Sequence, residues 1–168
     1  LLIEPQLFHD ERGFFAETYK KSDFEKMGIF DEFVQDVTSF SHENVLRGLH
    51  YQNPPKAQSK LVRCLMGTIL DVAVDIRKNS PTYGQWVMVE LSEENKKMLY
   101  IKEGFAHGFI ALKPAVVHYK VSNEFSKKDE GHIRYDDPII NITWPIKDLI
   151  LSEKDRLSPY LKDAINFF

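Results

Sequence analysis

The sequence predicts an all-β fold, an antiparallel sandwich or barrel with a few short helices. Three observations carry that expectation: the apolar runs are short and punctuated by turn residues, helical patterns are few, and no alternation of strand and helix marks βαβ units. The chain has 168 residues, enough for one domain with a sizeable core, and no internal repeat, low-complexity tract or boundary divides it.

Leu1 to Phe8 reads as a strand ending at the turn His9-Asp10-Glu11-Arg12-Gly13, and Phe14 to Tyr19 as a second. Ser22 followed by Glu25 has the capping-box spacing, so a short helix is expected from about Asp23 until Gly28 stops it. Phe33 to Phe40 and Val45 to Gln52 are β-like, and Asn53-Pro54-Pro55-Lys56 is a loop, because prolines cannot join a central ladder. Lys60 to Leu65, a Met66-Gly67 turn and Thr68 to Arg77 read as a long-armed hairpin, with Asp71 and Asp75 on one face and Val72 and Val74 on the other. Strands follow at Trp86–Leu91, Met98–Lys102, within Glu103–Leu112 and at Val116–Ser122. Asn123 to Asp137 is charged and loop-like, Asp137 to Pro145 is extended, and Ser152-Glu153-Lys154-Asp155 opens a C-terminal helical stretch. The chain opens Leu1-Leu2-Ile3 without a methionine, so leading residues are expected to be missing.

Composition narrows the function. Hydrophobic residues at 43% and charged residues at 28% are ordinary for a globular protein, and a net charge of -3 leaves no basic footprint for nucleic acid. An anionic ligand must therefore be held by a local cluster of Arg and Lys. No apolar run reaches the roughly 18 residues that span a bilayer, so no membrane partner is expected. Cys64, the single cysteine, falls in an apolar run and reads as core packing, and no signal peptide is visible. Both fit a reducing cytoplasm.

The stretch Val45-Leu46-Arg47-Gly48-Leu49-His50-Tyr51-Gln52 draws the most attention. Apolar and polar residues roughly alternate, so His50 and Gln52 should share one face, while Gly48 allows close backbone approach. Metal-binding barrels tend to place two histidines one residue apart on a strand, and here the second position is Gln52. His9, His42, His118 and His132 stand in unrelated contexts, and no HExxH, Walker or GxGxxG pattern exists. No metal is expected. An acid/base site suits the residue types better. A histidine oriented by a carboxylate takes a proton near neutral pH, and a tyrosine on the opposite side can return one. A base and an acid on two faces of a ring invert a stereocentre, and a lysine or histidine aimed at an adjacent carbonyl steadies the enolate. His50, Tyr119, Lys60 and His107 supply these types. Taken singly, each has a plainer reading: Tyr119 as core, Asp155 as a helix-start residue, Lys154 as a surface charge, Arg12 with Glu17 as an exposed ion pair.

Nine segments in order resemble the nucleotide-sugar 3,5-epimerases of the dTDP-4-dehydrorhamnose pathway: Asp10–Phe15, Phe33–Asp36, Val45–Gln52, Lys60–Val62, Asp71–Arg77, Gly104–Phe109, Tyr119-Lys120, Asp136–Pro138 and Leu151–Asp155. The resemblance covers almost the whole chain. It implies a cupin-like jelly-roll barrel, usually a homodimer, acting on a dTDP-linked 4-keto-6-deoxyhexose without metal or organic cofactor. It also implies His50 as general base with Asp155 as its carboxylate, Tyr119 as proton donor, Lys60 near the substrate carbonyl and His107 as a substrate-binding histidine. Arg12, Glu17, Gln35, Asp36, Arg47, Glu130 and Lys154 fall on positions that hold the nucleotide diphosphate and sugar, a task that suits the arginine fork.

Two positions depart from the family. Val37 stands where asparagine is frequent, which removes a side-chain hydrogen bond to the nucleotide. Phe125 stands where many members have a tyrosine that stacks on thymine; it keeps the stacking face and loses the hydroxyl. The expected reaction is epimerisation at carbon 3, carbon 5 or both. The alternatives are a carbon-3-only epimerase, a 3,4-ketoisomerase on the same substrate pool and a non-catalytic nucleotide-sugar-binding protein.

Overall fold

A computed structural model describes residues 1–168. Twelve strands run β1 (Leu2–Ile3), β2 (Phe8–Asp10), β3 (Gly13–Phe15), β4 (Gln35–Ser41), β5 (Leu46–Gln52), β6 (Lys60–Met66), β7 (Thr68–Asp75), β8 (Trp86–Ser92), β9 (Met98–Ile101), β10 (Phe105–Ala111), β11 (Ala115–Val121) and β12 (Glu130–His132). Two short helices, α1 (Lys21–Lys26) and α2 (Glu153–Arg156), complete the set. One antiparallel sheet has the order β1-β9-β6-β11-β4, the other β12-β5-β10-β7-β8, and β2-β3 form a separate ribbon.

Val62, Cys64, Leu99 and Val117 of the first sheet meet Ile69, Ala73, Leu91 and Phe109 of the second in a buried cluster between them. Cys64 lies in it, and burial pushes its thiol up to about 11, as befits a packing residue. The outer face of the second sheet is also buried. Leu49, Val72, Val74 and Ala106 pack there against Ile140, Ile142 and Leu161 from the C-terminal segment. Leu61, Met98 and Ile3 of the first sheet are covered by Phe24 and Ile29. This double coverage buries β7 on both faces, Val72 and Val74 on one and Asp71 and Asp75, each hydrogen-bonded to polar partners, on the other.

Several expectations are corrected. β6 and β7 are not a hairpin: β6 pairs with β9 and β11, β7 with β8 and β10. Gly67, at φ +77°, turns the chain from one sheet to the other at a point where a Cβ would strike the Pro114 carbonyl. A corner and a hairpin both place a turn glycine between two apolar runs. The Leu1–Phe8 strand is two short pieces, and the strand expected over Phe14–Tyr19 ends at Phe15. Pro5, which has no N–H to donate, lies in the gap. α1 starts at Lys21 with Lys20 as N-cap and no side-chain cap, so Ser22 and Glu25 lie inside it and form no capping box. The segment read as loop from Asn123 contains β12, three residues paired with β5. No helix is long and apolar enough to cross a membrane.

Candidate active site

β5 and β10 set the position of His50. Their register places His107 opposite His50 but Phe109 opposite Arg47, so β5 carries one extra residue around Gly48. At this bulge Gly48 has φ +127°, and a Cβ on it would stand 2.5 Å from Gly108 Cα. Strict alternation would send Arg47 and His50 to opposite faces; the bulge lets both line one space.

The imidazole Nε2 of His50 lies 2.5 Å from Asp155 Oδ1. Asp155 is 3% exposed and sits in the first turn of α2, where its backbone N–H donates to Ser152 Oγ (3.0 Å) and Ser152 Oγ donates to its Oδ2 (2.8 Å). The same serine thus caps the helix and fixes the carboxylate. Burial alone would raise the Asp155 carboxyl, but the hydrogen bond and charge of His50, with the Ser152 hydroxyl, hold it below its ordinary value. The plain reading of Asp155 as a helix-start residue is true as well as incomplete.

Two neighbouring spaces lie beside His50, of ≈ 270 Å³ and ≈ 160 Å³, and His50, Lys60 and Tyr119 line both. Lys60 on β6 and Tyr119 on β11 come from the sheet facing β5 and β10. Lys60 is 7% exposed, with Nζ 3.5 Å from the His50 carbonyl, and burial lowers its ammonium to about 8, against the pull of Asp71 and Glu130. Burial raises the Tyr119 hydroxyl, with Arg47 opposing. The His107 ring stands 6.3 Å from that of Tyr119 and its Nε2 2.7 Å from Asp71 Oδ1. Burial depresses His107, so its neutral form is favoured although Asp71 pulls the other way. Arg47 is pinned through Nε to Ser41 Oγ (3.0 Å) and Nη2 to the Phe40 carbonyl (2.9 Å).

The larger space opens outward past Gln35, Val37, Phe125 and Glu130. Phe125 is 57% exposed, and its N–H donates to Gln35 Oε1 at 2.9 Å. Lys154 Nζ donates to Glu130 Oε1 at 2.7 Å and Lys120 Nζ to Asp36 Oδ1 at 2.9 Å. Burial would raise Glu130, but Lys154 and His132 bring it down. Asp36, Arg12 and Glu17 do not join the cavity. Asp36 lies between Gln35 and Val37 on β4 and so points to the other face of the sheet, where its partner Lys120 stands over the Tyr19 ring. Arg12 is exposed on the β2-β3 ribbon and pairs with Asp10, and Glu17 lies exposed in the stretch that follows β3.

Three residues near His50 escaped the sequence reading. Gln52, read as filling the place of a second metal ligand, is buried and ties down the loop that carries Phe125, donating to the Lys56 and Glu124 carbonyls and accepting from Ser126 N. Asp71 was read only as sharing one face of β7 with Asp75; its partner is His107. His132, far from His50 in sequence, is its cross-strand neighbour, with ring centroids 4.9 Å apart at 80°. Its signal was hidden because β12 is short and charged.

The family model described as dTDP-4-dehydrorhamnose 3,5-epimerase matches residues 1–163. The chain is similar to the dTDP-4-dehydrorhamnose 3,5-epimerase of Shigella flexneri, at 55% identity over 99% of this chain and 93% of the relative. Its fold is similar to the crystal structure of dTDP-6-deoxy-D-glucose-3,5-epimerase from Legionella pneumophila in complex with dTDP-4-keto-L-rhamnose (TM-score 0.93, 47% identity, 96% and 87% covered). It is also similar to a 3'-monoepimerase from Streptomyces bikiniensis in complex with dTDP-quinovose (TM-score 0.89, 31% identity, 96% and 83% covered).

Proposed function

The chain belongs to the dTDP-4-dehydrorhamnose 3,5-epimerase family, and on that premise we propose how its residues act on the substrate. The protein is an isomerase of the cupin-like fold that inverts carbon 3, carbon 5 or both in a dTDP-linked 4-keto-6-deoxyhexose. His50, oriented by Asp155, removes the proton made acidic by the carbon-4 ketone. Lys60 and His107 steady the enolate oxygen, and Tyr119 delivers a proton to the other face. The observation that carries this reading is the His50–Asp155 pair on one wall of the cavity and Tyr119 on the facing sheet. Both ends of the pair are held by secondary structure, which gives the orientation a base requires.

The outer cavity suits the nucleotide. Phe125 offers an aromatic face for the base, beside Gln35 and Val37, while Arg47, Lys154 and Glu130 serve the diphosphate and sugar. Arg12 and Glu17 reach substrate only from a second copy. The ribbon that carries Arg12 exposes Phe8, Phe14 and Phe15, the last at 65%, which is the surface of an interface arm. The working unit is therefore a homodimer of single-domain chains, and buried, unpaired Cys64 fits a cytoplasmic setting. Sedimentation of a Phe15→Glu chain as a monomer, against a dimer for the unaltered chain, is the expected result; an unaltered chain that sediments as a monomer overturns it.

Proton NMR in deuterium oxide with the dTDP-4-keto sugar tests the chemistry. Solvent deuterium at carbon 3 or 5 is expected, and its absence at both overturns the assignment. Label at carbon 3 alone makes the chain a monoepimerase, which the same residues support.

A further inference from the structure

The pairing of β12 with β5 does what the sequence of β5 does not: it sets a second histidine beside His50. His132 and His50 face each other across the ladder, and Asp155 closes the group from α2. One ligating atom from each of the three lies within 4.8 Å of the others. Two more features of His132 point the same way. Its Nδ1 is buried with no hydrogen-bond partner, and its other nitrogen, Nε2, stands 3.3 Å from Glu130 Oε2, the arrangement in which a carboxylate orients a ligating imidazole.

We propose that His50, His132 and Asp155 bind a divalent transition-metal cation of the zinc class, and that the bound cation inhibits epimerisation. Two imidazoles and one carboxylate are a borderline donor set suited to zinc, cobalt or nickel; magnesium and calcium take oxygen ligands. Ligand atoms at about 2.1 Å from a tetrahedral cation stand roughly 3.4 Å apart. The 2.5 Å contact of His50 with Asp155 therefore widens on binding, and the atoms that now lie within 4.8 Å of one another draw in. The fourth position opens to the cavity that His50 and Glu130 line. The inhibition rests on the proposed role of His50. A neutral imidazole that gives one nitrogen to the metal carries its hydrogen on the other, so no lone pair is left to accept the substrate proton.

Two readouts on the full-length protein separate the site from the reaction. Cobalt(II) chloride titrated into the chelator-treated chain is expected to give the intense visible absorption of a four-coordinate ion at one equivalent, a signal that needs no turnover. His132→Asn and, separately, Asp155→Asn are expected to lose it. Zinc is expected to stop deuterium incorporation reversibly, with a chelator restoring it, and His132→Asn to raise the half-inhibitory zinc concentration roughly 10- to 100-fold relative to the unaltered chain. No cobalt absorption in the unaltered chain, or absorption and inhibition that both survive His132→Asn, overturns the site. Should the variants fail to fold, zinc must shift the imidazole NMR signals of His50 and His132 together in the unaltered chain; shifts confined to His9, His42 or His118 overturn the site. Cobalt absorption with undiminished exchange overturns the inhibition. A metal-free chain without exchange counts against the proposed reaction, and the cobalt spectrum then still decides the site.

Discussion

His50 Nε2 and Asp155 Oδ1 lie 2.5 Å apart although 105 positions separate the two residues. The contact joins a strand of the second sheet to the first turn of a helix whose cap, Ser152, also holds the carboxylate. Replacing Asp155 by Asn keeps the shape and removes the charge that fixes the imidazole. Deuterium incorporation is expected to fall about 10²- to 10⁴-fold with little change in KM. Single-turnover exchange measured by NMR checks it.

Tyr119 lines the cavity from the sheet facing that of His50, and with the proposed roles of the two Tyr119→Phe separates proton removal from inversion. His50 can return a proton only to the face it came from. Exchange is expected to persist while formation of the inverted sugar falls about 10²-fold or more. Equal loss of both would move the donor elsewhere.

Burial brings the Lys60 ammonium down to about 8. The group carries its charge below that pH and loses it above, and with it the stabilisation of the enolate proposed for it. The profile of kcat/KM is therefore expected to decline on the alkaline side near pH 8. Lys60→Arg, whose charge persists, is expected to move that limb upward even at a lower plateau rate.

Asp75, 1% exposed, binds Arg77, Ser80 and Thr82 away from the cavity. Burial alone would raise its carboxyl, but these donors hold it far below the ordinary carboxylate range. A depressed folded value means stability that is present above about pH 4 and lost as the pH falls toward the folded value. Asp75→Asn is expected to cost about 2–4 kcal/mol at pH 7 in urea unfolding, with kcat/KM near that of the unaltered chain. The deficit should shrink toward pH 2.

Gly48 has φ +127° and faces Gly108 too closely for a Cβ. Gly48→Ala is expected to lose about 2–4 kcal/mol of stability, as strained or overpacked core positions do. It should also cost activity, because the bulge aims His50. A chain with full stability and full exchange would show that the bulge is not needed.

Strand existence was legible where period-two patterns and turn residues coincide, as at β5 and β11, because alternation of faces is a local property. The family resemblance marked His50, Lys60, Tyr119, His107 and Asp155; the first four line one cavity, and Asp155 stands behind His50, hydrogen-bonded to it. Pairing was not legible. The β6-β7 turn looks alike as hairpin or corner, and the short charged β12 carries no pattern of its own.

The sequence by itself determined an antiparallel β fold, a core that includes Cys64, and the residue types of an acid/base site. The family resemblance implied that Asp155 partners His50; tertiary structure alone decided that Asp71 meets His107 and that His132 stands beside His50. It also decided that Arg12, Glu17 and Asp36 lie outside the cavity of their own chain. The physical reason is that periodicity reports which face a side chain takes relative to its neighbours in sequence. Strand order and register, set by packing over the whole core, report which distant residues it meets.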